Sequence, residues 1–78
     1  MNQGGIMSVH PIKIARVSKD LNQEALAKIC NVSRQTIGLI EAWKFNPSLA
    51  LCIKIAQALD KTLDDLFWPG PQDQGEDQ

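Results

Sequence analysis

The stretch QEALAKICNVSRQTIGLIEA, residues 23–42, decides how this chain folds. Its apolar residues recur at helical spacing in two short runs that are separated by a break at Asn31-Val32. Ala27 offers a small side chain where two helices can cross closely, and Asn31 tolerates the left-handed backbone angles of a sharp turn. The spacing predicts two helices joined by a tight turn, with a small shared core formed by Leu26, Cys30, Val32, Ile37 and Ile40.

A first helix is predicted to precede this pair. It opens at His10-Pro11, because proline is well tolerated at the first helical position. Asn22 and Ser33 are the expected N-caps of the two helices that follow. The apolar sides of the first and second helices are expected to include Ile12, Ile14, Ala15, Val17, Ala25, Leu26, Ile29 and Cys30.

Two more helices are predicted beyond the pair. The turn Asn46-Pro47-Ser48 precedes a fourth helix, residues 49 to about 59, since the residue before proline avoids the helical region. Thr62 and Asp65 resemble a capping box, with Asp where Glu is usual, and open a fifth helix that ends at Phe67. The predicted fold class is all-α, with five helices in one domain, to which a short strand pairing of residues 6–9 with residues 67–68 could be added. The fourth helix is expected to bury Leu49, Cys52, Ile53, Ala56 and Leu59.

Length and composition favour one small folded domain. The chain has 78 residues, 44% of them apolar, whereas disordered chains combine low hydrophobicity with high net charge. We expect a flexible segment at residues 1–9, the domain at residues 10–68, and an acidic, disordered tail at residues 69–78. The sequence has no secretory signal and no apolar run of membrane-spanning length, so the expected location is cytoplasmic.

The residue types that carry catalysis or bind metals are sparse. Cys30 and Cys52 are too few and too widely spaced for a disulfide scaffold or a zinc site, and we expect them to behave as small apolar residues. His10 has no nucleophile or carboxylate at a useful spacing, and Asp64-Asp65, at a helix start, complement the helix dipole. The sequence therefore predicts no enzyme, no metal site and no cofactor, and no small-molecule ligand is evident.

The total charge of −1 hides two opposed segments. Residues 10–61 hold eight basic residues and four acids, a net charge of +4, whereas residues 62–78 hold five acids and no base. Such asymmetry is a hint of nucleic-acid contact, although a solvated face with an acidic tail gives the same pattern. The near-neutral total is therefore no argument against a nucleic-acid partner.

The start of the third helix has the chemistry of a surface that reads bases. In helix-turn-helix proteins the second helix of the pair enters the major groove with its N-terminal residues at the base edges. Arg34 can bind guanine and Gln35 can bind adenine through paired hydrogen bonds, each worth about 1–3 kcal/mol of discrimination. Leu39 could touch a thymine methyl group, and Gln23 and Lys44 could contact phosphates.

Residues 12–68 resemble the XRE-type helix-turn-helix family of phage Cro and lambda-repressor relatives, in particular its small stand-alone bacterial repressors. The matching motifs are NQEALA (22–27), VSRQTI (32–37), Ile40-Glu41, KFNPSL (44–49) and LDDLF (63–67). The resemblance implies a lambda-repressor-like domain that dimerises and binds a short palindromic operator in double-stranded DNA. It also implies that one set of residues contacts phosphates, Gln23, Ser33 and Lys44, and that another faces bases, Arg34, Gln35, Thr36 and Leu39.

Ala42-Trp43 departs from the family's pattern, which has Asn-Gly or a similar pair at this place. A Gly or Asn there ends the recognition helix in a left-handed conformation, and a bulky aromatic residue in that state costs roughly 1–2 kcal/mol. Either strain is stored at Trp43 or the helix ends differently. The Trp43 side chain either packs over the turn that follows or serves as an exposed anchor for protein or DNA.

The end of the fifth helix is more apolar than a chain of this size needs for its own core. Leu66, Phe67 and Trp68 are the predicted residues of a two-fold dimer interface, with Phe67 and Trp68 at its centre, since aromatic residues are typical interface anchors. The alternative is that Leu63 and Leu66 close the core of the single chain. The sequence thus predicts a homodimeric repressor with the third helix in the major groove; the alternative is a protein-interaction module, a coactivator or an antitoxin-like partner, on the same scaffold.

Overall fold

The computed structural model describes residues 9–67, and these residues form five α-helices. This confirms the all-α prediction. The predicted flexible start, acidic tail and strand pairing fall wholly or largely on residues 1–8 and 68–78, which lie outside the described residues. The helices are α1 (Pro11–Ser18), α2 (Gln23–Cys30), α3 (Arg34–Glu41), α4 (Leu49–Leu59) and α5 (Leu63–Phe67).

Each helix begins at a side chain that accepts a hydrogen bond from the first turn. Asn22 Oδ1 accepts from the Ala25 amide at 2.7 Å, and Ser33 Oγ and Ser48 Oγ cap α3 and α4 at 3.1 Å. At α5 the Thr62 hydroxyl and the Asp65 carboxylate each accept from the other residue's amide at 3.1 Å, which confirms the capping box. These caps satisfy amides that the helix itself leaves unpaired.

The first four helices all end in the same way. Each is followed by a residue with left-handed backbone angles, and none of these residues is glycine: Asp20 (φ 59°), Asn31 (61°), Trp43 (63°) and Asp60 (59°). In each case the next amide donates back to the carbonyl five residues earlier, as Val32 does to Ala27 at 3.0 Å. This is the Schellman arrangement, in which such a residue lets the chain leave the helix while its last carbonyls stay bonded.

The core lies where α2 packs against α3 and α4, and where α1 packs against α3 and α5. The predicted crossing of α2 with α3 is confirmed, because Leu26, Cys30, Ile37 and Ile40 are buried and Val32 packs against them. The buried apolar set is completed by Ile12, Ala15, Ala27, Ile55, Ala56, Leu59 and Leu66.

Several predicted core positions are wrong. Leu49 is 67% exposed and Ile53 is 40% exposed, whereas Ile55, which was not among the predicted positions, is fully buried. The reason is that α4 carries one charged residue, Lys54, in eleven, so its apolar pattern does not define one inward face. Ile14, Val17 and Ile29 are also exposed, since α1 and α2 turn Arg16 and Ala27, respectively, toward the core instead.

No helix within residues 9–67 is both long enough and apolar enough to cross a membrane.

Candidate nucleic-acid interface

The α2–α3 pair is joined by a turn whose geometry depends on Asn31. Its φ of 61° and ψ of 44° are the left-handed angles that the sequence predicted, and its amide donates to the Lys28 carbonyl at 3.2 Å. Ser33 then caps α3 from extended backbone, so the direction of the chain changes within three residues. The turn and the shared core together hold the first turn of α3 at the surface.

Two predicted base-facing side chains stand side by side at the start of α3. Arg34 and Gln35 are both exposed, and neither side chain has a hydrogen bond or ion pair with any residue that the structure describes. Both side chains are thus available to an external partner. Farther along the helix, the predicted thymine contact Leu39 is 36% exposed.

Thr36 and Ser33 bind to each other. Their hydroxyl oxygens lie 2.9 Å apart, and Ser33 Oγ also accepts from the Thr36 amide at 3.1 Å. Ser33 is exposed and Thr36 is partly buried. These contacts fix the first turn of α3, and they leave the Ser33 hydroxyl with capacity for one more hydrogen bond and the Thr36 hydroxyl with capacity for two.

Gln23, the predicted phosphate contact on α2, lies over the middle of α3. Its side-chain Nε2 donates to Glu41 Oε1 at 3.0 Å. A Cβ atom placed on Gly38 would lie 3.7 Å from the Gln23 amide, which is ordinary van der Waals contact. The amide is therefore oriented by α3 before any ligand binds.

A buried ion pair that the sequence reasoning missed anchors the end of α3. Arg16 Nε and Nη2 donate to Glu41 at 2.7 Å and 3.1 Å, and Arg16 Nη1 donates to the Leu21 carbonyl at 2.8 Å. The two side chains are 9% and 5% exposed. One signal marks both residues as inward-facing, though not as partners: Arg16 lies four residues after Ile12 and Glu41 four residues after Ile37, on the same helix faces.

Ionisation of Glu41 is stabilised by its partners in spite of its burial. Burial alone would raise the pKa of this carboxyl group, but the hydrogen bonds from Arg16 and Gln23 and the positive charges of Arg16 and Lys13 hold the pKa below its usual value. The charge of Arg16 is buried and neutralised by Glu41, so Arg16 adds no positive charge to the surface.

Trp43 follows α3 with left-handed backbone angles, the conformation in which the family's usual Gly or Asn ends this helix. Its φ is 63°, and the Lys44 amide donates to the Leu39 carbonyl at 2.9 Å. The Trp43 ring stacks on His10, with ring centroids 4.3 Å apart, while about half of the residue stays exposed. Of the two helix endings that the sequence left open, the left-handed one is observed, on an aromatic residue. The Trp43 ring packs on the start of α1, a contact that neither alternative for its side chain named. Lys44, the third predicted phosphate contact, is exposed beside it.

The predicted dimer residues divide into three cases. Leu66 is 2% exposed and lies in the core of the single chain, as the alternative to a dimer contact expected. Phe67 is partly buried and meets the His10 ring edge-on at 6.3 Å. Trp68 lies outside the described residues.

Residues 9–67 contain no group of three or more side chains that could hold a metal ion. Burial raises the pKa of the Cys30 and Cys52 thiols, and the Cys52 thiol lies 3.9 Å from the Pro47 carbonyl. A raised pKa disfavours the reactive thiolate. Both cysteines thus have the character of small apolar residues.

Comparison with other sequences identifies the class of protein to which this geometry corresponds. The family model HTH_3, helix-turn-helix, matches residues 12–66. The chain is similar to an uncharacterized HTH-type transcriptional regulator of Methanocaldococcus jannaschii, with 46% identity over 56 residues, 72% of this chain and 85% of that protein. It is also similar to the uncharacterized HTH-type transcriptional regulator YgzD of Bacillus subtilis, with 37% identity over 57 residues, 73% of this chain and 86% of that protein.

Solved structures agree with the sequence comparison. The fold is similar to that of the restriction-modification controller protein C.AhdI from Aeromonas hydrophila, with a TM-score of 0.69 and 35% identity over 73% of this chain and 86% of that one. It is also similar to an HTH_3 family transcriptional regulator from Vibrio cholerae, with a TM-score of 0.67 and 32% identity over 80% of this chain and 35% of that one.

Proposed function

The chain belongs to the HTH_3 helix-turn-helix family of transcriptional regulators, and on that premise we propose that it is a homodimeric repressor that binds a short palindromic operator with α3 in the major groove. The observation that carries the proposal is the pair Arg34 and Gln35. These two side chains lie at the exposed N-terminal end of α3 without a partner among residues 9–67. They are the side chains that pair with guanine and adenine edges in the major groove.

The proposed phosphate contacts flank this base-reading surface. Ser33 precedes α3 and Lys44 follows it, so each end of the helix has a side chain that can bind a phosphate of the DNA backbone. On α2, one N–H and the oxygen of the Gln23 amide remain after its bond to Glu41, and the backbone amides of Gln23 and Glu24 have no acceptor among the described residues. Amides at a helix start are suited to a phosphate oxygen.

The number of available positive charges suits a regulator of moderate non-specific affinity. Arg16 is neutralised by Glu41, whereas Arg34 and Lys44 are exposed at the two ends of α3. Each phosphate that a basic residue neutralises adds about 0.9 to the magnitude of the slope of log K, the logarithm of the binding constant, against log salt concentration. The proposed operator specificity therefore comes from base contacts on α3 rather than from a strongly basic surface.

A palindromic operator requires two copies of the chain. We place Phe67 in the two-fold interface, because a half-buried aromatic residue at the end of α5 is a typical interface anchor. Two recognition helices about 34 Å apart would read half-sites one DNA turn apart. A bound dimer would repress by covering a promoter, and transcription in vitro from a promoter containing the selected site checks this.

Sedimentation of Phe67→Asp tests the interface. We expect this variant to sediment as a monomer at concentrations where the wild type is a dimer, while Phe45→Asp, a change at a more exposed phenylalanine, leaves the dimer intact. Circular dichroism of both variants checks that the helices persist. If Phe67→Asp still sedimented as a dimer, Phe67 would not lie in the interface.

Selection from a random pool of double-stranded DNA tests the function as a whole. The full chain is expected to enrich a palindrome whose half-sites are one helical turn apart. A single enriched half-site would support DNA binding and reject the dimer. Absence of any enriched sequence at low salt would reject the regulator, and the protein-interaction module would then be the better account.

A further inference from the structure

A cavity of about 160 Å³ lies between the start of α1, the loop after α3 and the end of α5. Its aromatic walls are Trp43, Phe45 and Phe67, and Ile40 and Leu66 form its apolar floor. An apolar cavity of about 150 Å³ is large enough to take up benzene. The space thus has the size and the lining of a site for a single aromatic ring.

One polar group in this cavity, the ring of His10, has a donor with no acceptor among residues 9–67. The His10 ring lines the cavity and is 6% exposed, and its Nδ1 accepts from the Ile12 amide at 3.1 Å. A neutral ring whose Nδ1 accepts must carry its proton on Nε2. No residue that the structure describes accepts from that Nε2–H. Buried donors without a partner are costly and uncommon in native proteins.

The walls of the cavity are held in place by one another. Trp43 stacks on His10 at 4.3 Å with an interplanar angle of 33°, and Phe67 meets the His10 ring edge-on, at 6.3 Å and 73°. Trp43 is fixed further by its place in the Schellman arrangement at the end of α3. A ligand would therefore enter a largely preformed site, which lowers the entropic cost of binding.

The charges around the cavity favour a neutral ligand. Among the lining residues that the structure describes there is no Lys or Arg, and the charged group that acts on His10 is the carboxylate of Glu41. An anionic ligand would have no cation to meet it. A positively charged ligand would find only a donor at His10, since neutral Nε2–H cannot accept a hydrogen bond.

We propose that this cavity binds a neutral small molecule made of one aromatic ring and one hydrogen-bond acceptor, such as a phenol. The acceptor takes the Nε2–H of His10, and the ring packs between Trp43 and Phe67. The ligand would touch Trp43, the residue that ends α3, so the site adjoins the recognition helix of the proposed function. Binding itself needs no DNA, although one wall of the site, Phe67, is also the residue placed in the proposed dimer interface.

Titration of the full chain with phenol, followed by NMR, tests the site. We expect saturable shifts of the His10 and Trp43 ring signals, and cross-relaxation between phenol ring protons and the rings of Trp43 and Phe67. Benzene, which has the ring without the acceptor, is expected to bind roughly five- to tenfold more weakly, the factor supplied by one net hydrogen bond. Both measurements use the wild-type chain and need no DNA, so their failure is distinct from a failure of the proposed function.

The variant His10→Ser isolates the hydrogen bond. Ser is a good N-cap, so the variant keeps the start of α1, and its short side chain places no donor where the Nε2–H of His10 lay. Phenol is expected to lose its advantage over benzene in this variant. Equal binding of phenol and benzene by the wild type, the same preference in the variant, or shifts that do not saturate would each overturn the proposal.

Discussion

Arg16 on α1 and Glu41 on α3 meet through two hydrogen bonds, 2.7 Å from Nε to Oε2 and 3.1 Å from Nη2 to Oε1. The same carboxylate accepts from Gln23 of α2 at 3.0 Å. Three helices are therefore joined at one buried carboxylate at the end of the helix proposed to read DNA. Because the pair is less than one-tenth exposed, its energetic role differs from that of a surface ion pair.

Breaking this pair on one side is expected to cost more than removing both charges. Glu41→Leu leaves the Arg16 guanidinium buried without its partner, and we expect a loss of about 3–5 kcal/mol in the free energy of unfolding. The double variant Arg16→Met/Glu41→Leu is expected to recover most of that loss, since an apolar pair of similar volume is often as stable as a buried ion pair. Urea denaturation of the wild type, the single variant and the double variant measures these differences. Glu24→Ala, a change at an exposed residue, is the control and is expected to lie within about 0.5 kcal/mol of the wild type. A double variant no more stable than Glu41→Leu would contradict this account.

The boundaries of the helices were predictable because their signals are local. Asn22, Ser33 and Ser48 cap amides three residues away, and Asn31 needs only its own backbone preference to turn the chain. Such interactions are encoded within a few neighbouring residues. The same holds for the exposure of Arg34 and Gln35, which follows from their place after a cap.

The features that sequence reasoning missed depend on contacts between distant segments. Arg16 and Glu41 are 25 residues apart, and neither residue's own helix shows which partner it will meet. The inward face of α4 is set by where α2 and α5 lie, which is why Ile55 is buried while Ile53 is not. The stacking of His10 on Trp43 also joins chain segments that no short motif relates.

Strain at Trp43 predicts a difference between two substitutions. Trp43→Gly and Trp43→Ala both remove the ring and its contact with His10, but glycine adopts the φ of 63° without a Cβ clash. We expect Trp43→Gly to be more stable than Trp43→Ala by about 1 kcal/mol, measured by urea denaturation. Ala42→Gly, at a residue with a φ of −86°, is the control and is expected to destabilise. Equal stability of the two Trp43 variants would show that no strain is stored there.

The titration of His10 predicts a pH dependence of stability. Burial lowers the pKa of His10 below 6.5 in the folded chain, and the opposing effect of Glu41 is smaller. Because the folded form disfavours the protonated ring, its stabilising contribution is complete above pH 6.5 and is lost as the pH falls through the folded-state pKa. Protonation also places a hydrogen on Nδ1, which removes the cap on Ile12.

Urea midpoints measured between about pH 5 and pH 8 check this dependence. His10 is the one histidine of the chain, so His10→Asn removes the imidazole titration while keeping an N-cap acceptor. The wild type is expected to gain stability with rising pH in the window just below 6.5, and the variant to stay flat there. The same slope in both proteins would assign the effect to another group.

Base contacts and phosphate contacts predict different signatures in DNA binding. Arg34→Ala is expected to cost about 1–3 kcal/mol on the selected operator and to relax the preference at one base pair of each half-site, because it removes a base contact. Lys44→Ala is expected to weaken binding to all sequences alike and to reduce the salt slope by about 0.9 for each subunit that loses a phosphate contact. Competition binding with operator variants at several salt concentrations separates the two.

Lys61→Ala is the matched control for charge. Lys61 is exposed and lies beside α1 and the start of α5, in a second groove lined by Ile14 and Asp65, so its removal lowers the net charge without changing α3. We expect its salt slope and sequence preference to match those of the wild type. If Arg34→Ala weakened every sequence by the same factor, Arg34 would be a phosphate contact, and the base reading would have to come from Gln35 and Leu39. If Lys61→Ala lowered the salt slope as much as Lys44→Ala, the DNA would lie across another face of the domain.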